Sequence, residues 1–195
     1  MSLSKATPNE KMGLENPTRT WIAVVNLETA SERRENMVRE FSKCGILANF
    51  FPAVNAREGS SWKKMSEIPD YGPWGAVQPH DKACTLSHIE LLKAFLDRDE
   101  DYCLVLEDDV YLSADLKAWT EDLSWWPEEA EVVKIERWRD DHLKVVVGKK
   151  VKSFRNRSIM KLYSRHSGTA GYFVSRIGAK KIVEAKQKCF PADHL

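Results

Sequence analysis

Three adjacent carboxylates, Glu107, Asp108 and Asp109, follow the apolar run Leu104-Val105-Leu106. An apolar run that stops abruptly in acid reads as a buried strand whose carboxyl end meets solvent, and in open α/β sheets ligands bind beyond that end. Three like charges beside a low-dielectric core repel and raise one another's pKa values unless a cation neutralises them. Oxygen-only donors favour a hard divalent ion, Mg²⁺ or Mn²⁺, which keeps positions open for substrate phosphates. The plain alternative is a solvated acidic turn. The strand that precedes it favours the metal.

Other residues with chemical potential are scattered. Ser87-His88 lies in a segment, Ala83 to Leu96, with apolar residues at helical spacing, and His88 shares a face with Cys84, Leu92 and Phe95. A histidine so placed is ordinarily part of the core. Cys84 and His88, four residues apart, can in principle share a zinc ion, but no second Cys/His pair at a suitable spacing accompanies them. From Lys144 to Arg165 there are eight basic residues and no acidic one. Such a run is either the solvated face of a hairpin or a local anion site, for a diphosphate or a phosphorylated acceptor. Aromatic residues are sparse there, which argues against a stacking platform for single-stranded nucleic acid. Arg33 and Arg34 stand at the start of a predicted helix, where backbone N–H groups and the helix dipole favour phosphate; Arg34 reads better as a surface residue.

The elements that must position these residues follow from periodicity. Trp21 to Val25 is a short, continuously apolar run suited to a strand buried on both faces. Thr29-x-x-Glu32 has the form of a capping box, Met37, Phe41 and Cys44 fall at helical spacing, and Gly45 stands where a helix C-cap glycine belongs. Strand content recurs at Ile46–Val54, Cys103–Leu106, Glu131–Ile135, Val145–Val147 and Thr169–Val174, and a helix is expected from about Ser175 to Gln187. Alternation of strands and helices implies an α/β fold with a mostly parallel central sheet flanked by helices. Arg57 to Pro79, rich in Gly, Pro and Ser, is expected to be a long functional loop.

Composition bounds the rest. The 195 residues are 43% hydrophobic, enough for one domain and one core. A net charge of +1 asks for no nucleic-acid partner. The polar opening, residues 1–19, reads as a disordered tail, leaving residues 20–195 as a single domain. Cys44, Cys84, Cys103 and Cys189 are widely spaced with no C-x-x-C pair, so a reducing cytoplasmic setting is the expectation, with at most peripheral contact at the inner face of a membrane. No segment approaches the roughly 18–20 apolar residues of a membrane span.

The order and spacing of several short segments resemble glycosyltransferase family 25, the lipooligosaccharide and collagen galactosyltransferase-like family. They are Val24-Val25-Asn26-Leu27 with Glu32-Arg33-Arg34, Phe51 to Ala56, Cys84 to His88, Leu106 to Val110, Gly168 to Tyr172 with Gly178-Ala179, and Pro191-Ala192-Asp193. The resemblance extends over most of Trp21 to Asp193. It implies a GT-A-type nucleotide-sugar fold, a UDP-sugar donor (commonly UDP-galactose), Mn²⁺ dependence, and transfer with inversion to a saccharide or glycolipid acceptor. The chain departs from the family in reading His80-Asp81-Lys82-Ala83 before Cys84, where a glycine is usual, and in stopping soon after the Pro-x-Asp motif; the domain is therefore expected to lack its C-terminal part.

These expectations assign roles. Asp109 and Glu107 hold the metal, with Asp108 supporting the metal or the ribose. Asn26, Leu27, Ala53 and Asn55 cradle the uridine by resemblance, with Arg33, Ser87, His88 and Thr169 also on the donor. Asp193 is the general base that inversion requires. Two alternatives stand beside this reading: a catalytically inactive sugar- or protein-binding module of the same fold, and a sugar-nucleotide pyrophosphorylase. The second usually needs a glycine-rich basic loop after the first strand, and this chain has Asn26-Leu27-Glu28-Thr29 there.

Overall fold

The computed structural model of the protein describes residues 19–72, 75–137, 144–164 and 166–185. Five strands form the central sheet: β1 (Thr20–Asn26), β2 (Asn49–Pro52), β5 (Tyr102–Glu107), β6 (Val132–Lys134) and β9 (Gly171–Ser175), in the order β2-β1-β5-β9-β6. β1 pairs in parallel with both β2 and β5, while β9 runs antiparallel to its neighbours β5 and β6. Four of the five strands thus point the same way, which makes the sheet mostly parallel.

Apolar runs buried on both faces need cover on both, and the side chains divide accordingly. Trp21, Ala23, Val25, Cys103, Val105, Tyr172 and Val174 pack on one face with Leu91, Leu92 and Phe95 of helix α3 (Pro79–Leu96) and Ala179 of helix α5 (Arg176–Glu184). Ile22, Val24, Leu104, Leu106 and Phe173 pack on the other with Met37 and Phe41 of helix α1 (Ser31–Cys44) and with Leu116 and Trp119 of helix α4 (Leu116–Glu121). The two tryptophans that follow, Trp125 and Trp126, close this second layer; Trp125 donates its indole N–H to the Trp119 carbonyl at 2.9 Å.

Three local readings change. The capping box at Thr29 and Glu32 does not form: Ala30 donates its N–H to the Leu27 carbonyl at 2.9 Å, closing a turn that leaves Thr29 outside the cap position. Ala30 is the N-cap of α1, without a side-chain cap bond. A capping box is found instead on α3, between Gln78 and Asp81. Gly45 does end α1 in the left-handed conformation, with φ 64°. The segment Arg57 to Pro79 is not one long loop: it holds helix α2 (Gly59–Met65) and a small hairpin, β3 (Tyr71–Gly72) with β4 (Gly75–Ala76). Few of its residues are apolar, yet Met65, Ile68 and Val77 bury against Ala83 and Leu86, which is enough to order it. Finally, the strand read at Val145–Val147 starts at its last residue and runs on: β7 (Val147–Phe154) pairs with β8 (Arg157–Leu162) through a turn in which Arg155 and Asn156 have φ 44° and 61°. Both central residues at positive φ are what a tight two-residue hairpin turn demands.

Candidate functional site

The chain leaves β1 outward to β2 and then returns to β5 on the other side of β1, so the sheet has a topological switch point between β1 and β5. That is where open sheets bind ligands. The carboxyl ends of β1 and β5 are Asn26 and Glu107, and a side-chain bond ties the two strand exits together: Asn26 Nδ2 donates to Asp108 Oδ2 at 2.7 Å. Arg33, on the first turn of α1, reaches the same place, with Nη1 at 2.9 Å from Asp108 Oδ1 and 3.3 Å from Asp109 Oδ2.

The three carboxylates therefore diverge. Asp108 is buried and held by Asn26 and Arg33. Asp109 is half exposed, and its carboxyl is pushed above the usual range, first by partial burial and then by the charge of Glu107, with Arg33 opposing. Glu107 faces the start of β9 and α3, where it accepts a bond from the Thr169 hydroxyl and lies 3.7 Å from His88 Nε2. Burial pushes the Glu107 carboxyl up, but the approach of His88 and the Thr169 hydroxyl outweigh it, and the net direction is down. The fixed cation anticipated for this cluster is in part a protein side chain, Arg33.

The remaining residues of interest occupy the same edge of the sheet. Ala53 donates its N–H to the Asn26 carbonyl at 3.0 Å, bringing the ends of β1 and β2 together beside Leu27. Asn55 bonds to Glu58 and to the Arg57 N–H, shaping the turn into α2. Ser87 is buried and accepts the Val54 N–H at 2.8 Å while donating to the Ala83 carbonyl, so it fixes the loop after β2. His88 is fully buried, its Nδ1 2.9 Å from the Tyr172 hydroxyl. Asp193 and Arg165 lie outside the described residues.

Glu107, Asp109 and Thr169 line a cleft of about 1580 Å³ whose far wall is the β7–β8 hairpin. Lys149, Lys150, Lys152, Arg157 and Lys161 are among the residues that line it. Lys152 bonds to the Ser124 carbonyl and Arg157 to Asp115, which pins the hairpin to the body of the protein. Lys149 and Lys150 have no ion-pair partner among the described residues. One cluster in the cleft escaped sequence reading: Lys134 pairs with Glu136 at 2.6 Å and also reaches the Gly168 carbonyl, while Glu136 accepts the Ala170 N–H at 2.8 Å and stands 3.7 Å from His166. A signal was present. Val132-Val133-Lys134-Ile135-Glu136 repeats, more weakly, the pattern of a strand ending in acid.

Asn26, Leu27, Arg33, Ala53 and Asn55 are not among the residues that line this cleft. A mostly parallel sheet covered on both faces, with Asn26, Arg33 and Asp108 joined at its switch point and Glu107, Asp109 and Thr169 lining the neighbouring cleft beside β5, β6 and β9, defines an α/β protein. Within that class the chain belongs to glycosyltransferase family 25: residues 20–195 match the model of that family, described as an LPS biosynthesis protein. It is 33% identical over 164 residues to the lacto-N-neotetraose biosynthesis glycosyltransferase LgtE of Neisseria meningitidis, a match that covers 83% of this chain and 59% of LgtE. The lipooligosaccharide biosynthesis protein lic2B of Haemophilus influenzae is 28% identical over 164 residues, covering 82% of this chain and 60% of lic2B. A glycosyltransferase 25 family member of Aedes aegypti is 30% identical over 203 residues, 95% of this chain and 31% of that protein. The chain thus spans less than two thirds of the length of these curated relatives. No helix among the described residues is long and apolar enough to cross a membrane.

Proposed function

We propose that this chain carries the donor site of a hexosyltransferase that moves a sugar, galactose, from a UDP-sugar to a saccharide acceptor such as a lipooligosaccharide core, inverting and assisted by Mn²⁺ or Mg²⁺. The observation that carries the reading is the cleft at the carboxyl end of β5, with carboxylates on one wall and a basic hairpin on the other, in a member of a glycosyltransferase family. The acceptor class follows the names of LgtE and lic2B; galactose, UDP, inversion and the GT-A type of fold follow the family resemblance.

The carboxylates suit a hard cation. Asp109 is a partly buried carboxyl destabilised by its neighbour Glu107, a charge that a cation relieves, and both offer only oxygen. Glu107 and Asp109 are the residues that would hold the ion, whose chemistry is to neutralise the leaving diphosphate without moving a proton. The protein's own groups do the rest. Thr169 orients Glu107, Asp108 anchors Arg33 at the switch point beside Asp109, where its guanidinium is offered to phosphate oxygens, and Lys149 and Lys150 add positive field from the hairpin wall. Asn26, Leu27, Ala53 and Asn55 form the uridine side. Asp193 is assigned as the base that takes the acceptor's proton, through its match to the family's Pro-x-Asp motif.

A screen of UDP-sugars with purified protein and saccharide acceptors tests this reading. The expected result is Mn²⁺-dependent release of UDP, fastest with UDP-galactose and accelerated by acceptor. Release no faster than without protein, for every UDP-hexose tried, would remove the assignment as an enzyme.

A further inference from the structure

Glu107, one of the two proposed donor-site ligands, also forms a second cluster with Cys84 and His88 that the hard-ion reading does not use. One ligating atom from each lies within 4.8 Å of the others. Cys84 and His88 are one turn apart on α3, and Glu107 comes across from the end of β5, supplying the third ligand that the α3 sequence alone lacks.

His88 Nε2 is buried and has no hydrogen-bond partner, a costly condition for a ring nitrogen in the core. It stands 3.7 Å from Glu107 Oε1. That is too far for a hydrogen bond. A nitrogen and an oxygen on one tetrahedral zinc, each about 2.0–2.2 Å from it, are separated by roughly 3.3–3.5 Å, so the two atoms need close by only about 0.2–0.4 Å to share an ion. The supporting contacts agree. The Tyr172 hydroxyl sits 2.9 Å from Nδ1, so Nδ1 can carry the proton and leave the Nε2 lone pair turned toward Glu107, and the Thr169 hydroxyl bonds to Glu107. Ligating histidines and carboxylates are ordinarily fixed in this way by a second group.

We propose that Cys84, His88 and Glu107 bind a thiophilic divalent cation of the Zn²⁺ class, distinct from the hard-ion site at Asp109. A thiolate and an imidazole select Zn²⁺ over Mg²⁺ or Mn²⁺. Three protein ligands leave a fourth position, and Cys84 and Glu107 both line the cleft, so that position takes water or a cleft ligand. Glu107 is common to both sites, as a carboxylate with two oxygens allows.

Metal-stripped full-length protein titrated with Co²⁺ tests the site optically. One equivalent should produce visible d–d bands and a thiolate-to-cobalt charge-transfer band, both abolished by stoichiometric Zn²⁺ and untouched by excess Mn²⁺. Cys84→Ser should remove the charge-transfer band. Tyr172→Phe, which keeps the three ligands and loses only the group that orients His88, should weaken Co²⁺ binding by about 10–100-fold. Asp109→Asn should leave the Co²⁺ spectrum unchanged while losing Mn²⁺-dependent UDP binding, so the two sites fail separately. Absence of a charge-transfer band in the wild type, its survival in Cys84→Ser, or its displacement by Mn²⁺ would overturn the proposal.

Discussion

Asp108 and Asp109 are neighbours in sequence with opposite environments, because the strand ends between the sheet and the cleft. Asp108 turns into Asn26 and Arg33, whereas Asp109 stays at the rim with its carboxyl raised by partial burial and by Glu107. A carboxyl whose folded pKa lies above its unfolded value costs stability where it is ionised, and that cost disappears as the pH falls through the folded value to the unfolded one. In metal-free protein Asp109→Asn should therefore raise the melting temperature at neutral pH, with the gain closing toward about pH 4, near the ordinary aspartate value. Thermal scans from pH 4 to 8 read this directly; a difference that widens on acidification would be the wrong sign. Asp193 belongs to the same scale. If it removes the acceptor's proton, Asp193→Asn should lower kcat by about 10²–10⁴ and spare UDP binding, whereas a helix-cap role would lower only the melting temperature, by the loss of roughly 0.5–2 kcal/mol. At this scale the acidic triplet was legible because an apolar run announced it. Glu136 had only a weaker signal of the same kind and His166 had none, since their contacts arise only when β6 is laid beside β9.

Among elements, the β7–β8 hairpin has the most direct consequence for function. Its basic residues line the cleft, and Lys149 and Lys150 lack ion-pair partners among the described residues. Replacing Lys149, Lys150 and Lys152 by Gln should weaken UDP binding or raise the acceptor KM, an effect that shrinks as salt rises from low ionic strength. Unchanged constants at low salt would make these lysines a solvated face. The hairpin was only partly legible: its basic character stood out, but β8 alternates weakly, and the turn at Arg155-Asn156 uses positive φ without a glycine to announce it. Helix α5 gives a stability test. A Cβ on Gly178 would come 2.5 Å from the Glu131 carbonyl oxygen, which already accepts the Ser175 N–H. Helix propensity favours alanine there by about 1 kcal/mol, while overpacking costs about 1–3 kcal/mol, so Gly178→Ala should lower the melting temperature on balance. A raised melting temperature would show that β6 gives way easily.

Across the whole molecule, the order of strands decides what the residues can do. Apolar runs at Trp21–Val25 and Cys103–Leu106 revealed two buried strands, but their adjacency, and hence the switch point, depends on a crossover past β1 that no local pattern encodes. The antiparallel insertion of β9 between β5 and β6 was likewise hidden, because a strand buried on both faces reads alike in either direction. That arrangement brings Thr169 to Glu107 and Tyr172 to His88, coupling the acidic edge to the core. The central claim is that this edge forms a metal-assisted donor site, and calorimetry of UDP binding to the full chain, with Mn²⁺ and with chelator, tests it most directly. The account predicts at least about tenfold tighter binding with Mn²⁺, some 1.4 kcal/mol, and loss of that gain in Asp109→Asn. Equal UDP affinity with and without metal would contradict it.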